Sequence, residues 1–363
     1  MCHETARNLV SISPKARADA RRASPHGSTI RIRRYNVPAM TRFALLLAIA
    51  ACGGGKPVAT SPLPPDKPAQ TLPEEKKPVE PKPPPAPTGP IEAKIPAITT
   101  KVKLVSAGKG KKEALKILAK AGNKQAVELA LDFTLKQSVG AQSAEEVVPT
   151  IVLTGDAETK AADGGNFEYA LVVNKTDARD TAGAKIPMDK FRAAISSLMG
   201  LSIGGSVGAN GATGEVTMKI EKQTEATSQA LELVRLTLPA WPAFPTEPVG
   251  AGAKWKATTT TRIANRLEVD QVTDYELVSH KNGTWTIKGK TTVTGKDQEM
   301  GEGNDKAKVS KIAGGGTTEV TFADGALYPS HKSSVQTTFT ASDPTGQQTV
   351  EFAIKVGSAV TAK

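Results

Sequence analysis

The 363-residue sequence predicts a mainly β protein (α+β), in which a large antiparallel meander carries two inserted helices behind a disordered N-terminal region. Three observations predict this class. Apolar and polar residues alternate with a period of two through most of the chain after about residue 98. Turn signals separate these segments, and the strand–helix–strand alternation typical of a parallel sheet is missing. Thirteen of the 25 prolines lie between Pro57 and Pro90, where a core cannot form.

Most of the positive charge lies at the start of the chain. Residues 1–39 hold eight Lys and Arg against two acidic residues, and so contribute +6 of the net +11. Arg42 adds one more, which leaves +4 from Cys52 onward. This small charge does not indicate a nucleic-acid partner. The predicted domain contains no cysteine, which excludes a disulfide framework or a cysteine metal site there.

Residues 40–51 have the anatomy of a signal peptide. Arg42 forms a short positive region, and the apolar run from Phe43 to Ala51 is far too short to span a bilayer. Small residues follow the apolar run and end at Cys52. A short buried helix is a weaker alternative, because nearly forty Pro-rich residues follow.

The tetrapeptide Ile49-Ala50-Ala51-Cys52 resembles the lipobox of bacterial lipoproteins: an aliphatic residue, two small residues and a cysteine. The resemblance implies that the Cys52 thiol receives a diacylglyceryl group, with acyl chains such as palmitate. It implies that cleavage leaves Cys52 as the new N-terminus, and that the membrane is a partner through this lipid anchor. The expected location is therefore the bacterial cell envelope. Gly53 after the cysteine favours the outer membrane, facing the periplasm, where two membranes exist.

The segments on either side of the signal complete the predicted organisation. Residues 1–39 are either an unusually long positive region of the signal or the result of a start assigned too early, and we favour Met40 as the true start. Residues 52–97 are predicted to be the lipid anchor and a Pro-rich disordered tether. Proline favours polyproline II, and residues 53–90 would extend to roughly 120 Å. The β-rich domain is predicted over residues 98–363.

The first half of this domain is predicted to be mostly strand. Every second residue from Val127 to Leu135 is apolar, which indicates a strand with one buried face. Segments 150–160 and 166–177 are predicted to form a second strand pair. Segment 113–120 is ambiguous, since its propensity favours a helix and the turn after it favours a hairpin strand. We prefer the strand.

Two helices are predicted in the middle of the domain, over 188–199 and about 224–237, from helical spacing of apolar residues and from their end signals. The glycine-rich run from Gly200 to Gly211 lacks the Lys-Ser/Thr of a phosphate loop and is interpreted as a flexible linker. Further strands are predicted over 253–264, 266–279, 284–294, 306–313, 316–323, 330–342 and 347–357. These bring the predicted total to ten to twelve antiparallel strands.

The order of strands, helices and strands behind a lipid anchor resembles the half-barrel lipoprotein carriers, such as the Lol-type chaperones and the mycobacterial lipid-carrier lipoproteins. The resemblance is architectural and involves no shared motif. It implies a curved antiparallel sheet that wraps helices and encloses an apolar cavity. The run Glu247-Pro248-Val249-Gly250-Ala251-Gly252-Ala253-Lys254-Trp255 is similar to a segment of uncharacterised bacterial lipoproteins, and brings no known activity.

No reaction is indicated by the sequence, so an enzyme, a cofactor and a metal are not expected. His280 and His331, the histidines of the predicted domain, lack metal-ligand spacing and are expected to be exposed loop residues. Asp270, Asp274 and Glu276 share one strand face, where paired carboxylates could serve glycoside hydrolysis. We interpret them as an ordinary solvent-facing surface.

Trp241, Phe244 and Trp255 are the candidate ligand-contacting residues. Packing in the core between helices and sheet is the favoured interpretation, and the lining of an apolar cavity is the functional alternative. The sequence therefore predicts a non-enzymatic binding domain on a lipid anchor, for lipid or another apolar ligand. The competing hypothesis is a structural or interaction module with a solid core, whose partner would be another envelope protein.

Overall fold

The structure of the protein, a computed structural model, describes residues 89–362 apart from 118, 164, 222–224, 240, 264–265 and 302–305. The predicted lipobox, Cys52 and most of the Pro-rich tether lie outside the described residues. The described part is mainly β, as predicted, and consists of one large antiparallel sheet, a small second sheet and two α-helices. Among the described helices, none is long and apolar enough to span a membrane.

The helices lie where the sequence predicts them. Helix α1 (Met188–Ile195) continues into a 3-10 turn (Ser196–Leu198), and helix α2 (Glu225–Thr237) comes after β8. The strands are β1 (Ile91–Ile95), β2 (Thr100–Ser106), β3 (Lys109–Glu113), β4 (Lys124–Val139), β5 (Gln142–Asp163), β6 (Asn166–Arg179), β7 (Ser202–Val207), β8 (Thr213–Ile220), β9 (Val249–Ala251), β10 (Lys254–Ile263), β11 (Leu267–Lys281), β12 (Thr284–Thr294), β13 (Gln298–Met300), β14 (Ala307–Ala323), β15 (Ser330–Ser342) and β16 (Thr349–Ala362).

The large sheet has 14 strands, and all its neighbouring strands are antiparallel. Its order is β1-β8-β7-β6-β5-β4-β16-β15-β14-β12-β11-β10-β2, with β13 paired to β14 beside this path. Strands β3 and β9 form a separate pair. Because β1 and β2 end the order at opposite edges and do not pair with each other, the sheet is open.

Chain connectivity nevertheless forces the open sheet to curl. Strands β1 and β2 form its two edges, yet only residues 96–99 separate them in sequence. A flat sheet of this many strands would be roughly 55–60 Å wide, whereas the chain from Ile95 to Thr100 reaches at most about 18 Å. The Ile98 amide donates to the Thr213 carbonyl of β8 at 3.1 Å, inside this connection. The two edges therefore lie near each other, and the sheet has an inner face.

The inner face of one half, from β4 to β8, carries a solid apolar core. The predicted alternation in β4 is confirmed, since its apolar positions from Val127 to Leu135 are buried. Phe191 and Ile195 of α1 and the apolar stripe of α2 are buried against this half. The helices thus cover the apolar strands, as amphipathic elements must.

The inner face of the other half is different in composition. From β10 to β16 the inward positions are mixed, with large apolar residues toward the strand ends and Thr, Ser, Gln and Gly near the middle, as in the cross-strand pairs Ala257–Thr273 and Thr259–Gln271. Gly289 of β12 lies on the same face, opposite Tyr275 and Thr318. The middle of this half therefore carries shorter inward side chains than β4 does in the first half.

Three local predictions are corrected by the structure. Residues 114–120 after β3 are neither helix nor strand where they are described, although Leu115 and Ile117 are buried. The run from Gly200 to Gly211 is not a linker, because it contains strand β7. Segments 306–313 and 316–323 are one strand, β14, whose bulge between Ser310 and Ala313 accommodates the irregular sequence. The described part of the chain has more strands than the ten to twelve predicted. The additional strands are short, glycine-rich or polar, so they lack the apolar–polar alternation from which strands were predicted.

Candidate functional site

A cavity of about 310 Å³ lies on the inner face of the second half of the sheet. Its walls come from β10, β11, β15 and β16, and the end of α2 with residues 237–239 covers it. Residues of both sheet edges, including Ile95 of β1 and Thr100 of β2, also contact it. Of the residues that line it, Arg262 is exposed and the others are buried or partly buried. The curl of the sheet thus creates the site.

The cavity wall is mixed rather than purely apolar. Ile354 and Val356 supply apolar surface, and hydroxyl groups alternate with them. Some hydroxyls pair across strands. The Oγ1 atoms of Thr100 and Thr259 are 3.1 Å apart, and the Oγ atoms of Ser333 and Ser358 are 2.9 Å apart. In each pair one hydroxyl donates its hydrogen to the other, and the second hydroxyl can still donate to another group. The wall can therefore contact both a hydrocarbon chain and a polar group.

Arg235 brings a charge to the cavity from the last turn of α2. Its side chain is 10% exposed, and it contacts Glu232 one turn earlier. The Nε atom donates to Glu232 Oε2 at 2.8 Å, and Nη2 donates to Oε1. The remaining nitrogen, Nη1, has no hydrogen-bond partner in the part of the chain that the structure describes. The guanidinium group therefore keeps unused donors beside the cavity.

The three aromatic candidates divide between wall and core. Trp241 lines the cavity and packs at 4.5 Å, centroid to centroid, against Tyr328. Phe244 is fully buried beside Phe322 at 5.5 Å. Trp255 is buried, and its indole N–H donates to the Ala243 carbonyl at 2.9 Å. Phe244 and Trp255 do not contact the cavity, so both belong to the packed layer next to it.

Ala257 and Tyr275 place the cavity on the face that alternation with Trp255 predicts. Ala257 is 5% exposed and contacts the cavity, as does Tyr275 on the neighbouring strand. Burial raises the pKa of the Tyr275 phenol to about 12, and its hydrogen bond with Thr273 opposes this shift. The phenol is thus neutral at physiological pH, and it offers a donor without adding charge.

The two histidines are not exposed loop residues, contrary to the sequence-based expectation. His331 lies in β15, and its Nε2 is 2.9 Å from the Thr318 hydroxyl oxygen. His280 lies in β11 with its side chain 26% exposed. Its ring stacks on Trp285 at 3.5 Å, and Nδ1 is 3.0 Å from Glu113 Oε2. Both rings serve packing because inward-facing strand positions bury them.

The carboxylates of β11 lie on the outer face and pair with the neighbouring strand. Asp270 accepts a 2.6 Å hydrogen bond from Thr260, and Glu276 is 3.6 Å from the Lys254 amine. Asp274 contacts Lys256. They form a solvent-facing polar ladder, as interpreted from the sequence. Among the described residues, no group of three or more His, Cys, Asp or Glu is arranged to hold a metal ion.

Two comparisons of the sequence with known proteins found no match. The sequence matches no protein-family model, and no curated protein matches it with significant similarity. The functional conclusion therefore depends on the geometry of the cavity.

Sequence reasoning did not identify the polar part of the site. Thr258 to Thr261 form an unbroken threonine run, so the alternation that marks Trp255 and Ala257 as inward gives no signal there. Thr259 and Thr261 line the cavity, whereas Thr258 is exposed. Arg235 was also missed, because a basic residue in the last turn of a helix usually faces solvent. Extending the period-two pattern from Ala257 would have identified Thr259 and Thr261 as inward-facing.

Proposed function

We propose that the domain binds a small amphipathic ligand non-covalently in the cavity between α2 and the inner face of the sheet. The observation that carries this proposal is the 310 Å³ space itself, which lies between α2 and the inner face of the sheet. Small-molecule sites are concave recesses lined by apolar residues and a few polar groups, and the space between α2 and the sheet has this character.

The size and the wall of the cavity restrict the ligand. About 310 Å³ lies at the lower end of the range of ligand pockets, which is roughly 300–1,000 Å³. The mixed wall of hydroxyls with Ile354 and Val356 suits a molecule with one apolar chain and one polar group. A single acyl chain with its head group fits this description better than a purely apolar compound.

The proposed setting is the bacterial cell envelope. The lipobox resemblance at Cys52 supports a lipid anchor, and the Pro-rich segment supports a tether between anchor and domain. In this setting the domain would meet amphiphiles that leave or enter a membrane. No chemical step is part of the proposal, since binding and release alone account for the site.

An inward substitution at Ala257 tests whether the cavity binds ligand. The chain from residue 52 onward with Cys52→Ser retains every described residue and carries no lipid that could compete. Binding of the uncharged fluorophore N-phenylnaphthylamine is measured by fluorescence, and stability by urea unfolding. Ala257→Phe should abolish most of the fluorophore binding and change the free energy of unfolding by less than about 1 kcal/mol, because the ring enters existing space.

Thr258→Phe is the matched control, because it places the same ring one residue away on the exposed outer face. It should leave fluorophore binding unchanged. The proposal is wrong if the unsubstituted chain binds no apolar probe and Ala257→Phe costs about 1–3 kcal/mol through overpacking. A solid module that acts through its surface would then account for the domain.

A further inference from the structure

We infer that the ligand of this cavity carries an anionic head group, which the Arg235 guanidinium group binds while the apolar chain lies against the β15–β16 wall. The inference rests on the proposed function and goes further, since it names the class of ligand: single-chain anionic amphiphiles. A fatty-acid carboxylate and the phosphate of a monoacyl lipid share this chemistry.

The charged residues that line the cavity all carry the same sign. The charged residues that line it are Arg235 and Arg262, and no Asp or Glu is among the lining residues. Arg262 is 65% exposed, and its Nη2 lies 3.4 Å from Glu268, so water screens it. Arg235 is 10% exposed, and charge interactions at such a position are screened far less. A ligand that enters the cavity therefore meets the Arg235 guanidinium group, which is paired with Glu232.

Arg235 has donors to spare for such a ligand. The guanidinium group has five N–H donors, and Glu232 accepts from Nε and Nη2. A second oxygen anion can share the group through Nη1, because guanidinium binds planar oxyanions in two-point arrangements. The Glu232 side chain is 43% exposed, so water can solvate its carboxylate when a ligand shares its partner.

The position of Arg235 also fits an amphiphile. It lies in the last turn of α2, where the helix covers the cavity, and Ile354 and Val356 lie on the sheet wall of the same cavity. A ligand with its head group at the helix end would therefore place its chain along these apolar residues. The paired hydroxyls along the wall remain satisfied in the absence of a ligand.

The experiment compares three probes matched in chain length: decanoate, decanol and decylamine. Each displaces N-phenylnaphthylamine from the lipid-free chain described above at neutral pH. The unsubstituted chain should bind decanoate most tightly and decylamine most weakly. Arg235→Gln should weaken decanoate binding about tenfold or more, the effect of losing one charge-assisted contact, and should leave decanol binding nearly unchanged.

Two further variants separate head-group binding from a structural role of the ion pair. Glu232→Gln removes the competing carboxylate and should tighten decanoate binding a few-fold. The double variant Arg235→Gln with Glu232→Gln leaves no uncompensated charge and should bind decanoate no better than decanol. Arg262→Gln is the matched control on the exposed side and should have little effect on any probe.

The outcomes distinguish the two proposals. If Arg235→Gln weakens all three probes equally and Glu232→Gln weakens decanoate, the ion pair only supports the helix end and the anionic head group is wrong, while binding in the cavity stands. If the unsubstituted chain prefers decylamine or ignores the head group, the inference is also wrong. If no probe displaces the fluorophore because none binds, the proposed function itself fails.

Discussion

Because the His331 imidazole is buried, the free energy of unfolding of the domain depends on pH. It lies on the inner face of β15, opposite the buried Val320 and Val360 of the neighbouring strands. Burial lowers its pKa from 6.5 to about 4. The folded state therefore holds the neutral ring at pH values where the unfolded chain already binds a proton, and this preference favours unfolding in acid.

The sign and the pH range of this effect follow from the two pKa values. The contribution of the neutral His331 ring to the free energy of unfolding is fully present above pH 6.5. It falls as the pH decreases from 6.5 to about 4. The loss is at most roughly 3.5 kcal/mol, at about 1.4 kcal/mol per pKa unit. His331→Gln should flatten the pH dependence of urea unfolding over this range. Lys332→Gln, at the exposed neighbouring position, should leave it as steep as before, and an unchanged slope in His331→Gln would contradict the assignment.

At the scale of single elements, β12 and β14 carry glycine at neighbouring inward positions, Gly289, Gly314 and Gly316. A Cβ atom at Gly289 would lie 2.6 Å from Thr318 Cγ2 and 2.9 Å from both Thr273 Cγ2 and Tyr275 Cε1. The neighbouring side chains from both adjacent strands thus converge over this position. This close approach of the neighbouring side chains depends on the absence of a side chain at Gly289.

Gly289→Ala should therefore destabilise the domain by about 1–3 kcal/mol through overpacking, measured by urea unfolding. Gly204→Ala in β7 is the matched control, because a Cβ there meets only the Tyr169 carbonyl oxygen at 3.5 Å. Replacing a strand glycine at an open position should be neutral or slightly stabilising, since it reduces the entropy of the unfolded chain. If Gly289→Ala and Gly204→Ala change the free energy of unfolding equally, the side chains around Gly289 must move aside at no energetic cost.

The difference between strands with large inward residues and strands with inward glycine explains how much of the fold the sequence could predict. Strands such as β4 bury large apolar residues on one face, so their period-two pattern was sufficient and their prediction is confirmed. Strand β7 (Ser202–Val207) and the Gly314 to Gly316 stretch of β14 contain glycine where large side chains would mark the inner face. Glycine usually indicates a turn or a linker, so these strands were missed or divided.

The cavity could not be predicted from any local pattern. Its walls combine β1, α2, β10 and β16, which are far apart in sequence and adjacent only after the sheet curls. Alternation identified Ala257 and Trp255 as inward-facing, and the structure bears this out. Whether an inward position faces packed core or open space depends on the opposite wall, which sequence periodicity does not describe.

At the scale of the whole molecule, the proposed binding domain and the proposed membrane anchor are separate parts of one chain. The described strands and helices begin at Ile91, whereas the proposed anchor is at Cys52. The anchor therefore is not needed for the geometry of the cavity, and the two proposals can be tested independently. A chain without the anchor should keep its fluorophore binding and lose only its membrane location.

Cys52→Ala tests the anchor directly in a bacterial host that lipidates exported proteins. The substitution removes the thiol that would carry the diacylglyceryl group, so labelling with radioactive palmitate should disappear and the protein should leave the lipid-anchored fraction. Ser61→Ala is the matched control, because it changes a residue after Cys52 and leaves Ile49 to Cys52 intact, and its labelling should equal that of the unsubstituted chain. Full labelling of Cys52→Ala would overturn the lipoprotein proposal, while cavity binding would stand on its own geometry.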